Sequence, residues 1–170
     1  MSAVSQSDLT REPSPCQENL TREPSPCQVQ VASADDAGAM AAISAGEYDS
    51  WSGEQFLSTM ESPVARVWSA KMRGETAGYG VVYYDSDGSE LVQIAVDRGC
   101  RRGGVGTALL EEILRFLSEK GVPQIVLEVR SRNEAAVAFY KKAGFEKVTI
   151  QENYYRNPSD DALRMIRRID

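Results

Sequence analysis

The stretch Ile94-Ala-Val-Asp-Arg-Gly-Cys-Arg-Arg-Gly-Gly-Val-Gly106 joins a predicted strand, Glu90 to Val96, to a predicted helix, Val105 to Lys120. At such a junction the first N–H groups of the helix have no intrahelical partner, and together with the helix dipole they attract anions. Glycine also lets the backbone approach a pyrophosphate without a Cβ in the way. The stretch therefore predicts a phosphate-binding loop. The alternative is an arginine- and glycine-rich turn that only starts a helix.

The residues of this loop do not match two common phosphate-binding motifs. The pattern G-x-x-x-x-G-K-[ST] is not present because its lysine is missing, and Gly104-Val-Gly106 lacks the third glycine of a dinucleotide fingerprint. The pattern R-x-x-G-x-G does fit, with Arg101, Gly104 and Gly106 in its fixed positions. The loop therefore matches a third motif, R-x-x-G-x-G, and it directly follows a predicted strand.

The apolar pattern on either side of the loop predicts a mixed α/β domain of order β-α-α-β-β-β-α-β-α-β-β. Period-2 or continuous apolar runs indicate strands, and apolar residues at helical spacing between capping and glycine signals indicate helices. The predicted strands are 29–32, 66–72, 76–85, 90–96, 125–129, 145–150 and 162–169, and the predicted helices are 35–46, 51–60, 105–120 and 133–143.

Composition removes several classes of function. The 170 residues contain no histidine, which excludes Ser-His-Asp, Cys-His and His-ligated metal chemistry, and we expect no metal site. The formal charge of −6 disfavours a broad electrostatic contact with nucleic acid or an anionic membrane. The first residues do not resemble a signal peptide, and no apolar run is long enough to span a bilayer. We expect a soluble, cytoplasmic protein.

The N-terminal 28 residues differ from the rest of the chain. The segment LTREPSPCQ at residues 9–17 recurs at residues 20–28, and each copy carries a Pro-Ser-Pro triplet that opposes helix and central strand. Little in it is apolar, so residues 1–28 are predicted to be a disordered leader before a domain at 29–170. A metal clip through Cys16 and Cys27 is the alternative, although two thiols without histidine make a poor zinc site.

The loop and four further segments resemble the GNAT superfamily of acetyl-CoA-dependent N-acetyltransferases. Within it, the resemblance is greatest to the bacterial ribosomal-protein-alanine N-acetyltransferases (RimI type), and it covers about residues 29–170. The segments are Trp51-Ser52-x-x-x-Phe56, Ile94-Ala-Val96, Leu127-Glu-Val-Arg-Ser-Arg-Asn133 with Ala135-Ala136 and Phe139-Tyr140, and Asn153-Tyr-Tyr155 before Asp161-Ala162. The resemblance implies a GNAT fold and acetyl-CoA as the co-substrate.

The resemblance also implies which residues bind acetyl-CoA. The loop would hold the pyrophosphate, the strand before it would pair with the pantetheine arm like an added strand, and Asn133 would bind that arm. Asn133 by itself also reads as a helix N-cap, and the two roles can coexist. Gly103, Cys100 and Ser50 depart from the usual family residues. The implied set is Ile94, Ala95, Val96, Arg101, Arg102, Gly103, Gly104, Val105, Gly106, Thr107 and Asn133.

Two residues are candidates for acid–base catalysis. Glu128 lies inside an apolar predicted strand, which is an unusual place for a carboxylate. From the residues alone it is either a general base, a solvent-facing side chain or a partner of Arg130; the resemblance favours the base. Tyr140 is a candidate proton donor to the leaving thiolate, and its alternative role is core packing beside Phe139. The resemblance makes Tyr140 the acid.

Trp51, Tyr154 and Tyr155 are candidates for lining the acceptor entrance, although adjacent aromatic residues in a strand are commonly packing residues. The resemblance implies acetyl transfer to a protein N-terminal α-amine, that of the alanine of a small-subunit ribosomal protein, by direct attack in a ternary complex. The alternatives are a small-molecule amine or protein lysine as acceptor, or a non-catalytic acyl-CoA-binding module. We expect a monomer or weak dimer without nucleic-acid or membrane partners.

Overall fold

The computed structural model describes residues 27–170, and in them seven strands form one sheet flanked by four α-helices. The elements are β1 Gln28–Val31, α1 Ala37–Ser44, α2 Gly53–Met60, β2 Ala65–Met72, β3 Glu75–Tyr84, β4 Ser89–Val96, α3 Val105–Glu119, β5 Gln124–Arg130, α4 Glu134–Lys142, β6 Glu146–Arg156 and β7 Ser159–Arg168. This order confirms the predicted mixed α/β arrangement. The predicted leader lies outside the described residues except for its last two, of which Gln28 begins β1.

The sheet has the order β1-β2-β3-β4-β5-β7-β6, and every neighbouring pair is antiparallel except β4 with β5. That parallel pair is short: only Ser89 with Ile125 and Glu90 with Val126 are in register. Beyond these two positions the strands diverge. The centre of the sheet therefore opens into a gap whose β4 side has no strand partner.

Helices cover both faces of the sheet. The larger apolar cluster joins α3 and α4 to β5, through Leu109, Ile113 and Tyr140 among others, and the smaller one joins α1 and α2 to β2–β4, through Met40 and Phe56. Buried and half-buried residues alternate along β5: Ile125, Leu127 and Val129 are buried, and the residues between them are half-buried. Glu128 thus lies on the face of β5 opposite to α3 and α4.

Two glycines bring α3 close to β3. A Cβ at Gly78 would lie 2.8 Å from the carbonyl oxygen of Ala95, and a Cβ at Gly80 would lie 2.8 Å from Cδ1 of Ile113. Both distances are shorter than real Cβ contacts allow, so larger residues would push the helix or β4 away. Close packing here fixes the start of α3 beside the end of β4. The sequence predicts an apolar stripe of Val105, Leu109, Ile113 and Phe116; the first three are buried, whereas Phe116 is half-buried and Leu117 is buried beside it.

A buried polar cluster fixes the start of α1. The Asp36 carboxylate, 3% exposed, accepts hydrogen bonds from the Ser33 N–H (2.9 Å), the Ser69 hydroxyl (3.1 Å) and the Lys71 ammonium. Burial alone raises the pKa of this carboxyl, but the Lys71, Ser33 and Ser69 contacts together outweigh that effect and lower it. Asp36 is therefore held ionised, and it ties α1 to β2.

The predicted boundaries differ most in the last hairpin. The strand predicted over 145–150 continues to Arg156, and the one predicted from 162 begins at Ser159. The pairing is irregular between Gln151 and Tyr155, where Asn153 has φ +52°. This irregularity breaks the alternation on which the prediction relied. No helix in the described part of the chain is long and apolar enough to cross a membrane.

Candidate active site

A cleft of about 150 Å³ occupies the gap between β4 and β5. Its walls come from the α1–α2 loop at residues 45–52, from β4 and β5, from the start and middle of α4, and from β6. Six residues singled out from the sequence lie together in its lining: Ile94, Ala95, Glu128, Asn133, Tyr140 and Tyr155. They come from β4, from β5, from α4 with its N-cap, and from β6.

Glu128 faces the cleft from the middle of β5. Its side chain is 19% exposed, one carboxylate oxygen lies 3.5 Å from Nη1 of Arg164, and the Tyr154 hydroxyl hydrogen-bonds to it. The carboxylate is thus neither fully open to solvent nor paired with Arg130, which contacts aromatic rings instead. It lines the cleft with Arg164 beside it. A carboxylate in this place is able to accept a proton from a group in the cleft.

Tyr140 is buried on α4 between Phe139 and Phe145, with ring centroids 5.2 and 5.6 Å away. The two interpretations offered for it are therefore compatible, since the ring packs in the core while the residue also lines the cleft. Burial raises the pKa of Tyr140 above its ordinary value. The phenol is therefore protonated at neutral pH.

The three aromatic residues predicted at the acceptor entrance have different surroundings. Tyr155 lines the cleft, and burial raises its pKa to about 12. Tyr154, 51% exposed, packs edge-on against Tyr155 at 5.0 Å, and its bond to Glu128 raises its pKa. Trp51 packs on Phe56 at 5.4 Å and does not line the cleft. Of the three, Tyr155 alone lines the cleft; Tyr154 packs against Tyr155 outside the lining, and Trp51 supports α2.

The loop before α3 contains two residues with positive φ. Gly104 is the N-cap with φ +82°, a conformation that favours glycine, and Arg102 has φ +62°. A Cβ at Gly106 would contact Phe139 at 3.6 Å and Val96 at 3.7 Å, so this position is close to both the helix and the strand. The helix presents its first N–H groups, including those of Val105 and Thr107, at this surface. The donors suit a pyrophosphate.

Arg101 connects the loop to two neighbouring segments, a role that the R-x-x-G-x-G motif does not indicate. Its Nε donates to the Val96 carbonyl at 3.1 Å, and its Nη2 forms a 2.6 Å ion pair with Glu47. The side chain therefore links the loop to the end of β4 and to the α1–α2 loop. Arg102 and Gly103 are exposed beside it. A Cβ added at Gly103 would lie 3.2 Å from the carbonyl oxygen of Cys100.

The open edge of β4 suits an extended ligand. Ile94, Ala95 and Val96 pair with β3 on one side, and on the other side no strand of the described chain reaches them. Asn133 stands across the gap as the N-cap of α4, with its side-chain oxygen accepting from the Ala136 N–H at 3.1 Å. The N-cap interpretation is confirmed, and the amide nitrogen is left for other contacts. These groups fit the pantetheine arm of acetyl-CoA.

A hydrogen-bonded chain that the sequence did not reveal holds the α1–α2 loop. The Tyr79 hydroxyl donates to the Gln93 side-chain oxygen at 2.9 Å, and the Gln93 amide donates to the Asp49 carbonyl at 2.5 Å. Burial raises the pKa of Tyr79 to about 12, so its hydroxyl stays a donor. Sequence reasoning missed this chain because the three residues are far apart in sequence. The only available signal was a tyrosine and a glutamine at apolar strand positions.

The chain is similar in sequence to known proteins. The sequence profile of the acetyltransferase (GNAT) family matches residues 29–145. The [ribosomal protein bS18]-alanine N-acetyltransferase of Escherichia coli K12 is 36% identical over 117 residues, 68% of this chain and 78% of the relative. The N-alpha-acetyltransferase RimI of Mycobacterium tuberculosis is 34% identical over 123 residues, 70% of this chain and 76% of the relative.

The fold is also shared with solved structures. The crystal structure of the ribosomal-protein-S18-alanine N-acetyltransferase from Escherichia coli superposes with a TM-score of 0.78 at 30% identity, and the match covers 85% of this chain and 95% of that one. Ard1 from Thermoplasma volcanium gives the same TM-score at 26% identity, over 85% of this chain and 98% of that one.

Proposed function

Because this chain belongs to the acetyltransferase (GNAT) family and is an acetyl-CoA-dependent N-acetyltransferase, we propose that its acceptor is the α-amine of a protein N-terminus. The observation that carries the proposal is the composition of the cleft. A carboxylate, Glu128, and a protonated phenol, Tyr140, line the same gap beside the open edge of β4. The presence of a proton acceptor and a proton donor in one cleft supports the proposal.

The chain's own residues supply binding and proton transfer. The N–H groups of the loop at 101–107 would hold the pyrophosphate, and Ile94–Val96 with Asn133 would hold the pantetheine arm. Acetyl-CoA, when bound, supplies the thioester. Glu128 accepts the proton of the attacking amine, directly or through water, and Tyr140 protonates the sulfur as the C–S bond breaks. The acetyl group passes directly to nitrogen in a ternary complex, with no acyl-enzyme.

The chemistry of the base favours an α-amine over a lysine. An α-amine has a pKa of about 7.7–8.0 and a lysine amine one of about 10.4, so an α-amine loses its proton to a modest base such as a carboxylate far more easily. Two relatives support this preference, since one is a bS18-alanine N-acetyltransferase and the other is an N-alpha-acetyltransferase. We propose the N-terminal alanine of a small-subunit ribosomal protein as the acceptor.

An acetyl transfer assay tests this proposal. The acceptor peptide carries the first residues of ribosomal protein bS18, starting at alanine and including a lysine. The matched control is the same peptide with its α-amine already acetylated. We expect transfer to the first peptide and not to the second, unaffected by an excess of free lysine or spermidine. Transfer to the blocked peptide would identify a lysine acceptor, and transfer to spermidine alone a small-molecule acceptor.

A further inference from the structure

Arg130 lies between two aromatic rings at the edge of the cleft. Its guanidinium carbon is 4.0 Å from the ring centroid of Tyr155 and 4.5 Å from that of Tyr48, and its Nη1 donates to the Pro158 carbonyl at 2.9 Å. A planar guanidinium can contact a ring on each side while its edge forms hydrogen bonds, which an ammonium cannot do. We call Tyr48, Arg130 and Tyr155 the Arg130 stack.

The Arg130 stack joins the two segments that frame the acceptor side of the cleft. Tyr48 belongs to the α1–α2 loop, and Tyr155 and Pro158 belong to the β6–β7 hairpin. Tyr48 is 70% exposed, so burial does little to hold its ring there. Arg130 itself is anchored in β5 between its neighbours, opposite Ala162 of β7. Arg130 thus contacts both segments from the sheet, in addition to the Gln93–Asp49 and Arg101–Glu47 contacts that hold the α1–α2 loop.

Arg130 is also close to the proposed base. Glu128 and Arg130 are two residues apart on one strand, so their side chains leave the same face about 7 Å apart. Both line the cleft. The Arg130 stack therefore lies next to the carboxylate, on the route from solvent.

We propose that Arg130 is a positioning residue for the acceptor, which rests on the proposed function. The stack holds the α1–α2 loop and the β6–β7 hairpin at a fixed separation, so that an incoming chain end reaches Glu128 in one orientation. Arg130 touches neither the thioester nor the amine proton in this role. It acts through Tyr48 and Tyr155.

Steady-state kinetics of Arg130→Ala with the alanine peptide test the role. We expect the peptide KM to rise about three- to tenfold, the range that corresponds to a cation–π contact at a partly exposed site. The Kd for acetyl-CoA and the melting temperature should stay near the wild-type values, and Arg130→Lys should recover only part of the loss. Arg132→Ala is the matched control, because it removes the same charge from a side chain that is 81% exposed.

A double-mutant cycle gives the decisive readout. Tyr48→Leu and Tyr155→Leu come from different elements, so without the stack their effects on KM multiply. With Arg130 present, we expect the peptide KM of the double variant to rise by less than the product of the factors for the two single variants. In the Arg130→Ala background, we expect the two factors to multiply. Independent effects in the wild-type background, or an unchanged peptide KM in Arg130→Ala, would overturn the proposal.

An NMR measurement separates this proposal from the acceptor assignment. The Nε–H and side-chain protons of Arg130 should show ring-current shifts that disappear in Tyr48→Leu and Tyr155→Leu, and that change when the alanine peptide is added. If the wild-type enzyme does not acetylate the peptide, the proposed function fails on the assay alone. Absence of ring-current shifts, or shifts insensitive to both tyrosines, would refute the stack whatever the acceptor is.

Discussion

Replacement of Glu128 by glutamine separates the role of this residue in proton transfer from its contribution to stability. Glutamine keeps the length of the side chain, and its amide oxygen can still accept a hydrogen bond from the Tyr154 hydroxyl, but it cannot act as a base. The lost ion pair with Arg164, at 3.5 Å with the arginine side chain 43% exposed, contributes at most about 1 kcal/mol. The melting temperature should therefore fall by no more than about 4 °C.

The kinetic effect should be far larger than this structural one. Loss of a general base lowers kcat by about 10²–10⁴-fold, or about 3–5 kcal/mol of barrier. An amine with a pKa of about 7.8 is about one-tenth neutral at about pH 6.8 and about nine-tenths neutral at about pH 8.8. The ratio of wild-type to variant kcat should then shrink about tenfold over this range, because the bound amine has already lost its proton.

The assay is kcat against pH at saturating acetyl-CoA and peptide, with acetyl-CoA affinity measured by calorimetry in parallel. Arg164→Gln is the control, since it removes the ion pair and leaves the carboxylate; its kcat should stay within about fivefold of wild type. A Glu128→Gln variant with wild-type kcat below the amine pKa would show that the base is another group. A deficit that does not shrink with pH would show that Glu128 only positions the acceptor.

Three other outcomes follow from the structure. Tyr140→Phe should lower kcat without the pH rescue, because the missing proton belongs to the leaving thiolate; parallel pH profiles check this. Gly106→Val should weaken acetyl-CoA binding in calorimetry while the variant stays folded, since even a Cβ at this position would contact Phe139 and Val96, and the further carbons of valine would crowd the space beside the loop. Asp36→Ala should cost about 3 kcal/mol in denaturant unfolding, because it leaves Lys71 without its buried partner. As the folded pKa of Asp36 is lowered, its contribution is complete above the unfolded value of 3.8 and is lost as pH falls below it, so the wild type should approach the variant in stability there.

The element order was predictable because local signals agree along most of the chain. The helix at Val105–Glu119 has a clear apolar stripe and a glycine on each side, and β5 is almost wholly apolar, as central strands are. The last hairpin was not predictable in length. Its outer strand β6 is exposed along nearly its whole length, so no burial pattern marks where pairing ends.

The candidate site was predictable only where one segment carries the chemistry. The glycine loop and Glu128 could be found because each breaks a local rule, the first through its glycines and the second through a charge in an apolar strand. The divergence of β4 from β5 depends on packing across the whole sheet. Contacts such as Arg101 with Glu47 join residues 54 positions apart, and no single-sequence pattern predicts which partner is chosen.

The early divergence of β4 and β5 also has a mechanical consequence. The described sheet consists of two panels, β1–β4 and β5–β7–β6, whose strands meet through only two residue pairs. A ligand that hydrogen-bonds along β4 bridges the seam between the panels, and saturation at about 100 times Kd would add about 2.7 kcal/mol to the stability of the folded state. Amide protons beside the seam should then exchange more slowly in the complex. Since free coenzyme A keeps the pyrophosphate and the pantetheine arm, the product should stabilise the contact between the panels almost as well as the acetylated form.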